Sequence, residues 1–378
     1  MAAPTFLAHA QDRLRNGDSA GAEQILRDGL VAAPDSVHGW CILADALARR
    51  HAYEESLVAT AQALAVSPGD PLALISRART LRALGQRDAA LDAFARALGG
   101  PDLPPPVRAH GLMEMGRTLD EGGRHEEAWE AVTLGQRIRR SMAAASGLRP
   151  HWLSSHLDAM HRWLDVRTPP EPVAYDDPRP LPIFLVGVPR SGTTLTEQIL
   201  IAAGVQSTEE RPALSMAIAD VVQANPTLAY PGDLHAWPLS VVAQVRERFF
   251  ERAGFADDVR VLHKLPLDLV HVGAIHRCFA GAPVVQALRD PRDTLVSGFF
   301  QNFLLNPAML NWTDPRQLAL ATRGLLELGR RWARDLEGLV LRVQRYDRLT
   351  DDPEPEMRAL VAHVGLPQMA ETPQCGRR

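Results

Sequence analysis

Cysteine is scarce: the 378-residue chain holds three, Cys41, Cys278 and Cys375, far apart and odd in number. That excludes a disulfide framework or a cysteine cluster for metal as the basis of the fold. It fits a reducing compartment, so a cytoplasmic location is expected. No apolar run reaches transmembrane length. Near the N-terminus Asp12, Arg13, Arg15 and Asp18 interrupt the early helical pattern, and no signal peptide is read there. An excess of positive charge is also missing: the net charge is -4, which gives no support for a nucleic-acid partner. No His/Cys/Asp cluster calls for a metal. What remains is a composition of 46% hydrophobic and 23% charged residues, that of a soluble globular protein long enough for two domains.

The first 140 or so residues are rich in Ala, Leu and charged residues at helical spacing. Pro34 and Pro68 stand 34 residues apart and Pro101 follows 33 later. Between them lie paired helical faces: Trp40, Leu43, Ala44 and Leu47 with Ser56, Thr60 and Ala63, then Leu74, Ala78 and Leu81 with Ala90, Phe94 and Ala97. Leu112, Met115, Gly116 and Leu119 repeat the face with Ala128 and Val132, and Phe6, Ala10, Ala22 and Leu26 form a degenerate earlier copy. Small residues at 44, 78 and 116 allow close helix approach. The period and pattern resemble tetratricopeptide repeats. That resemblance implies either a peptide- or protein-binding face or a rigid, self-associating scaffold.

Residues 1–147 are therefore read as helical repeats. Residues 148–180 are read as a capping helix, His151 to Leu164, and a proline-rich linker containing Pro169, Pro170, Pro178 and Pro180. Residues 181–378 alternate short apolar strands (183–188, 259–263, 284–288, 339–343) with helices (193–203, 267–279, 294–303, 316–336, 354–363). This order argues a mostly parallel sheet covered by helices on both faces. Arg190, Lys264 and Arg289 each follow a strand, where open α/β sheets bind ligands.

Gly187-Val188-Pro189-Arg190-Ser191-Gly192-Thr193-Thr194 directly follows the first of these strands. Glycines permit close backbone approach, the hydroxyls of Ser191, Thr193 and Thr194 donate, and the helix start is positive. A simple helix cap needs only one such hydroxyl. The spacing is Gly-x-x-x-x-Gly, but Thr193 stands where a nucleotide triphosphatase loop carries lysine.

Together with Lys264 in His263-Lys264-Leu265-Pro266 and the later Arg289-Asp290-Pro291-Arg292-Asp293 element, this chain resembles the sulfotransferase superfamily. It is most similar to bacterial repeat-bearing members and tyrosylprotein sulfotransferases. The resemblance implies transfer of a sulfuryl group from 3′-phosphoadenosine 5′-phosphosulfate (PAPS) to an acceptor hydroxyl, leaving adenosine 3′,5′-bisphosphate (PAP). It assigns Pro189, Arg190, Ser191, Gly192, Thr193 and Thr194 to the 5′-phosphosulfate and Lys264 to the bridging oxygen. Arg289 and Ser297 fall to the 3′-phosphate, and Tyr346 to the adenine.

Five positions after Val205 the resemblance places a base glutamate, Glu210, with Glu209 standing where related chains carry glycine. Glu209 is the neighbouring fallback, and His263 and His235 are further candidates. Catalysis is thus expected from Glu210, Lys264 and Arg190 without metal. The acceptor is expected to be a peptide, tyrosine included, or a small hydroxyl compound. A non-catalytic PAPS/PAP-binding adaptor, or a nucleotide kinase using Asp290 for magnesium, are the competing readings. Related domains continue well beyond the position of Gly365-Leu366-Pro367 with a basic closing loop. Here 11 residues follow, ending in Arg377 and Arg378, so a weaker lid is expected.

Overall fold

The computed structural model describes residues 5–100, 103–166, 172–173 and 176–367. Cys375, Arg377 and Arg378, and prolines 169 and 170, lie outside them. The chain divides into two compact units, Met1–Leu148 with Phe300–Leu305, and Arg149–Phe299 with Asn306–Arg378.

The first unit is built of α1 (Thr5–Arg15), α2 (Ser19–Ala32), α3 (Val37–Arg49), α4 (Tyr53–Val66), α5 (Pro71–Ala83), α6 (Arg87–Leu98), α7 (Pro105–Glu121) and α8 (His125–Ala145). Consecutive helices pack as antiparallel pairs. Side-chain caps start several of them: Asp18, Ser36 and Asp70 accept from Gly21, Gly39 and Ala73 N–H groups. The first copy, degenerate in sequence, still buries Leu7, Ala10, Leu14, Ala22, Leu26 and Leu30.

The small positions do what helix contact requires. Ser56 Oγ reaches the main-chain oxygen of Ala44 at 2.9 Å. A Cβ on Gly116 would stand 2.5 Å from Val132 Cγ2 and 3.1 Å from Ala128 O. Gly116→Val therefore forces α7 from α8 and is expected to cost about 1–3 kcal/mol by overpacking. A lowered midpoint in thermal unfolding would register it.

The second unit begins with α9 (His151–Val166), then β1 (Ile183–Gly187), α10 (Thr193–Ala202), β2 (Gln206–Ser207), α11 (Ala213–Ala224), α12 (Leu239–Ala253), β3 (Val261–Lys264), a 3-10 segment (Pro266–His271) and α13 (Val272–Cys278). It continues with β4 (Val284–Leu288), α14 (Pro291–Phe299), α15 (Pro315–Asp335), β5 (Leu341–Arg345), α16 (Tyr346–Asp351) and α17 (Pro353–His363). The five strands run parallel in the order β2-β3-β1-β4-β5, as the strand–helix alternation requires. Leu185 lies opposite Lys264 and Gly187 opposite Ala287, which fixes the register around the central strand.

Alternation sorts the strands' side chains to two faces. Ile183, Leu185, Leu262 and Val285 cluster with Ile199, Leu200, Leu349, Met357 and Leu360. Phe184 packs with Phe249, Phe279 and the His263 ring at centroid distances of 5.6, 5.1 and 5.8 Å. Helix α9 packs on α15: Trp163 and Trp332 lie 6.2 Å apart, and a Cβ on Gly324 would meet Leu157 at 2.8 Å.

Three local differences from the sequence reading stand out. The helix expected over 267–279 opens as a 3-10 segment, with Pro266 leading it. The helix expected to run to Phe303 stops at Phe299, and 300–305 are non-helical. The amphipathic helices α11 and α12 occupy a stretch to which the sequence reading assigns no helix or strand.

Candidate functional site

Because all five strands are parallel, the loops at Val188, Thr208, Leu265, Arg289 and Tyr346 leave one edge of the sheet. β1 is flanked by β3 and β4, which makes this edge a switch point where the connections diverge and a crevice opens.

The loop after β1 turns tightly, with Ser191 N–H donating to Val188 O at 3.0 Å. Arg190 and Gly192 adopt φ of 76° and 100°. The left-handed Gly192 directly precedes α10, whose N-terminal donors then face the loop. Ser191 Oγ is buried with no hydrogen-bond partner among the described residues. Thr193 is buried and Thr194 exposed.

Lys264 ends β3 with only 5% of its surface exposed. Its Nζ lies 2.6 Å from Glu210 Oε1 and 3.2 Å from Glu197 Oε2. It is the only lysine in the chain; every other one of the 41 Lys and Arg residues is arginine. The slot between two carboxylates suits a compact ammonium better than a planar guanidinium. Glu197, on α10 one turn past the loop, is buried and accepts from Ser207 Oγ. Sequence reasoning missed Glu197, although a charge in the apolar helix Thr193–Ala202 and the solitary lysine were both visible signals.

Glu209 and Glu210 are the central residues of a turn closed by Arg211 N–H to Thr208 O at 3.0 Å, with φ of 49° and 66°. Positive φ at both central positions is the pattern normally filled by Asn-Gly or Gly-Gly. Two glutamates there carry strain of about 1–2 kcal/mol each. The conformation also explains how Glu209 occupies a place suited to glycine without displacing Glu210. Thr208 anchors the turn: its Oγ1 accepts from Lys264 N–H at 3.3 Å and meets His263 Nδ1 at 3.3 Å.

His263, weighed as a base, is fully buried, and its Nε2 pairs with Asp268 at 2.7 Å. It is a scaffold for the turn. His235 is half-buried in a 3-10 segment, its Nδ1 buried without a partner among the described residues.

Beyond β4, Arg289 lays its guanidinium 4.8 Å from the Tyr346 ring centroid and 3.5 Å from Asp293. Arg289 Nε is buried with no hydrogen-bond partner among the described residues. Ser297 receives a hydrogen bond from Arg190 Nε at 3.1 Å, which joins the first loop to α14. The Asp290 carboxylate accepts from Arg292 N–H at 2.8 Å and from its guanidinium at 2.8 and 3.1 Å. These bonds hold its carboxyl at about 2. Gln286, Arg289, Gly329, Arg330, Val343 and Tyr346 are among the residues around an adjoining cavity of about 580 Å³. Gln286 Oε1 is a further unpartnered buried atom there.

The residues present suit a nucleotide: Arg289, whose Nε has no hydrogen-bond partner among the described residues, lines the cavity, and the glycine loop with the buried Ser191 Oγ leads into a helix start. Among the described residues, no group of three or more His, Cys, Asp or Glu could hold a metal, and no helix is long and apolar enough to cross a membrane.

Comparison with known proteins finds two kinds of match. Tetratricopeptide repeat matches cover residues 7–71 and 75–140. An uncharacterized protein of Aquifex aeolicus (strain VF5) is 27% identical over 297 residues, 74% of this chain but 38% of that protein, so the chain spans well under half of its relative. A sulfotransferase from Mycobacterium avium is similar at 17% identity and a TM-score of 0.34, over 75% of this chain and 85% of that one. A crystal structure of MamA is similar at 18% identity and a TM-score of 0.30, over 41% of this chain and 82% of that one. The match to the Sulfotransferase family covers residues 182–371, half of the chain and nearly all of the sheet-bearing part just described, and so the chain belongs to that family.

Proposed function

We propose that the chain binds PAPS along the carboxyl edge of its sheet and transfers the sulfuryl group to an acceptor hydroxyl, peptide tyrosine among the candidate acceptors. One observation carries this reading: the only lysine is buried at the end of β3 against a glutamate on a strained turn, opposite Leu185 of the strand that leads into the glycine loop. Ser191, Thr193, Thr194 and the start of α10 would hold the 5′ end. Arg289 and Ser297 would hold the 3′-phosphate, Arg190, bonded to Ser297, would serve the 5′ end from the first loop, and the cavity at Tyr346 would take the nucleoside. Tyr346, in contact with Arg289 and lying against Gly192, would border the base.

PAPS supplies an activated sulfuryl group when bound. Glu210 is half-exposed, so its carboxylate can meet an acceptor hydroxyl and accept its proton. Lys264 holds that carboxylate in place until an anion competes for the ammonium, which then balances negative charge on the leaving phosphate oxygen. The hydrogen bond to Glu197 keeps the lysine aimed as Glu210 lets go.

Glu210→Gln tests the assignment. Sulfur-35 transfer from PAPS to tyrosine peptides and small phenols should fall about 10²–10⁴-fold, the usual worth of a general base. PAP affinity by calorimetry should stay level or tighten, since a negative charge is gone. Unaltered transfer, or loss of PAP binding in a folded variant, would remove Glu210 from the role.

A further inference from the structure

The segment Phe300–Leu305 belongs to the repeat unit, although the chain on either side of it belongs to the other unit. It is non-helical, and α8 holds it largely by its backbone. Gln136 Nε2 donates to Gln301 O at 3.4 Å, and Arg139 Nη2 donates to Phe303 O. These carbonyls are two residues apart, as the same face of an extended strand presents them. Gln136 and Arg139 are one turn apart on α8, and Arg139 Nη1 donates to Gln136 Oε1 at 2.7 Å, so the two side chains form a fixed fork.

Gln136 is fully buried. Burial of Arg139 pulls its guanidinium down to about 10, and both oxygens just named as its acceptors are neutral. Phe300 packs on the cluster of Leu119, Ala128 and Ala131 and lies 6.2 Å from Trp129, while Phe303 and Leu305 are half-buried. Asn302 is exposed and Leu304 is 90% exposed.

A site that spends a buried amide and a half-buried guanidinium on main-chain oxygens, beside an aromatic socket, is built to read an extended peptide. We propose that the α7–α8 pair is such a site, for a peptide with an aromatic residue whose carbonyls one and three positions later meet Gln136 and Arg139. This chain fills it with residues 300–305 as an internal ligand that an incoming peptide displaces. Repeat recognition of this kind stands whether or not the α/β unit binds a nucleotide.

The test uses the full chain and a fluorescent peptide with the sequence of residues 298–306 flanked by polar residues. An internal ligand docked nine-tenths of the time weakens apparent affinity about tenfold. Phe300→Ala should therefore tighten peptide binding by about that factor, and adding Arg139→Ala should abolish the gain. In the unmodified protein, saturating peptide should raise hydroxyl-radical labelling of the Phe300 ring while the buried Leu119 stays protected, a readout that does not depend on how the variants fold. No binding by Phe300→Ala, or binding without greater labelling of Phe300, overturns the proposal.

Discussion

Lys264→Ala should lower sulfuryl transfer by about 10²–10³-fold, the scale seen when one preorganised donor is taken from a developing oxyanion. It should also destabilise the α/β unit. Both Lys264 and Glu197 are more than nine-tenths buried, so removing the ammonium leaves a carboxylate facing it from α10 with Ser207 as its remaining donor. Breaking a buried pair by deleting one partner costs about 3–5 kcal/mol. The two effects separate in the Lys264→Met, Glu197→Gln double variant. Its denaturant midpoint should recover most of the loss because no charge is stranded, while transfer stays low because no cation faces the leaving oxygen. Lys264→Arg should also fail, since the larger planar group does not fit the 2.6 and 3.2 Å approaches of the two carboxylates. Transfer retained in the double variant would show the lysine to be structural only.

The residues differ in how plainly the sequence announced them. The repeats were legible because small and apolar positions recur at a fixed period, and Ala44, Ala78 and Gly116 are all buried against partner helices. The four longer strands were legible as short apolar runs, whereas β2 is only Gln206–Ser207 and has no pattern to read. Helix α11 was readable in principle, since Leu214, Ala217, Ile218 and Val221 follow helical spacing. Long-range pairings were out of reach. Nothing local says that Arg190 meets Ser297, that Tyr346 lies against Gly192, or that Glu197 faces Lys264. Those contacts depend on strand order, which spacing within one segment does not encode. The end of α14 at Phe299 was hidden for the same reason: the residues after it are held by a distant repeat helix rather than by their own helical propensity.

Gly192→Val should weaken nucleotide binding by about 10²-fold with little change to the repeats. Two independent penalties meet at this position. Its φ of 100° is a conformation that branched side chains resist, at a cost of about 1–3 kcal/mol. A Cβ there would also stand 2.5 Å from Tyr346 Cδ2, 3.3 Å from Cγ and 3.4 Å from Cβ, far inside van der Waals contact. The loop or the tyrosine must move, and either movement disturbs an anion subsite: the loop carries Ser191, and the ring carries the Arg289 guanidinium at 4.8 Å. About 3 kcal/mol lost from binding is roughly 10²-fold in PAP affinity. The smaller Gly192→Ala pair of experiments assigns the cause. If overlap dominates, Tyr346→Ala in the same chain should restore part of the affinity lost by Gly192→Ala, although Tyr346→Ala alone weakens binding. If backbone conformation dominates, the two losses should add, and if PAP affinity does not change in Gly192→Val the loop is not a phosphate site.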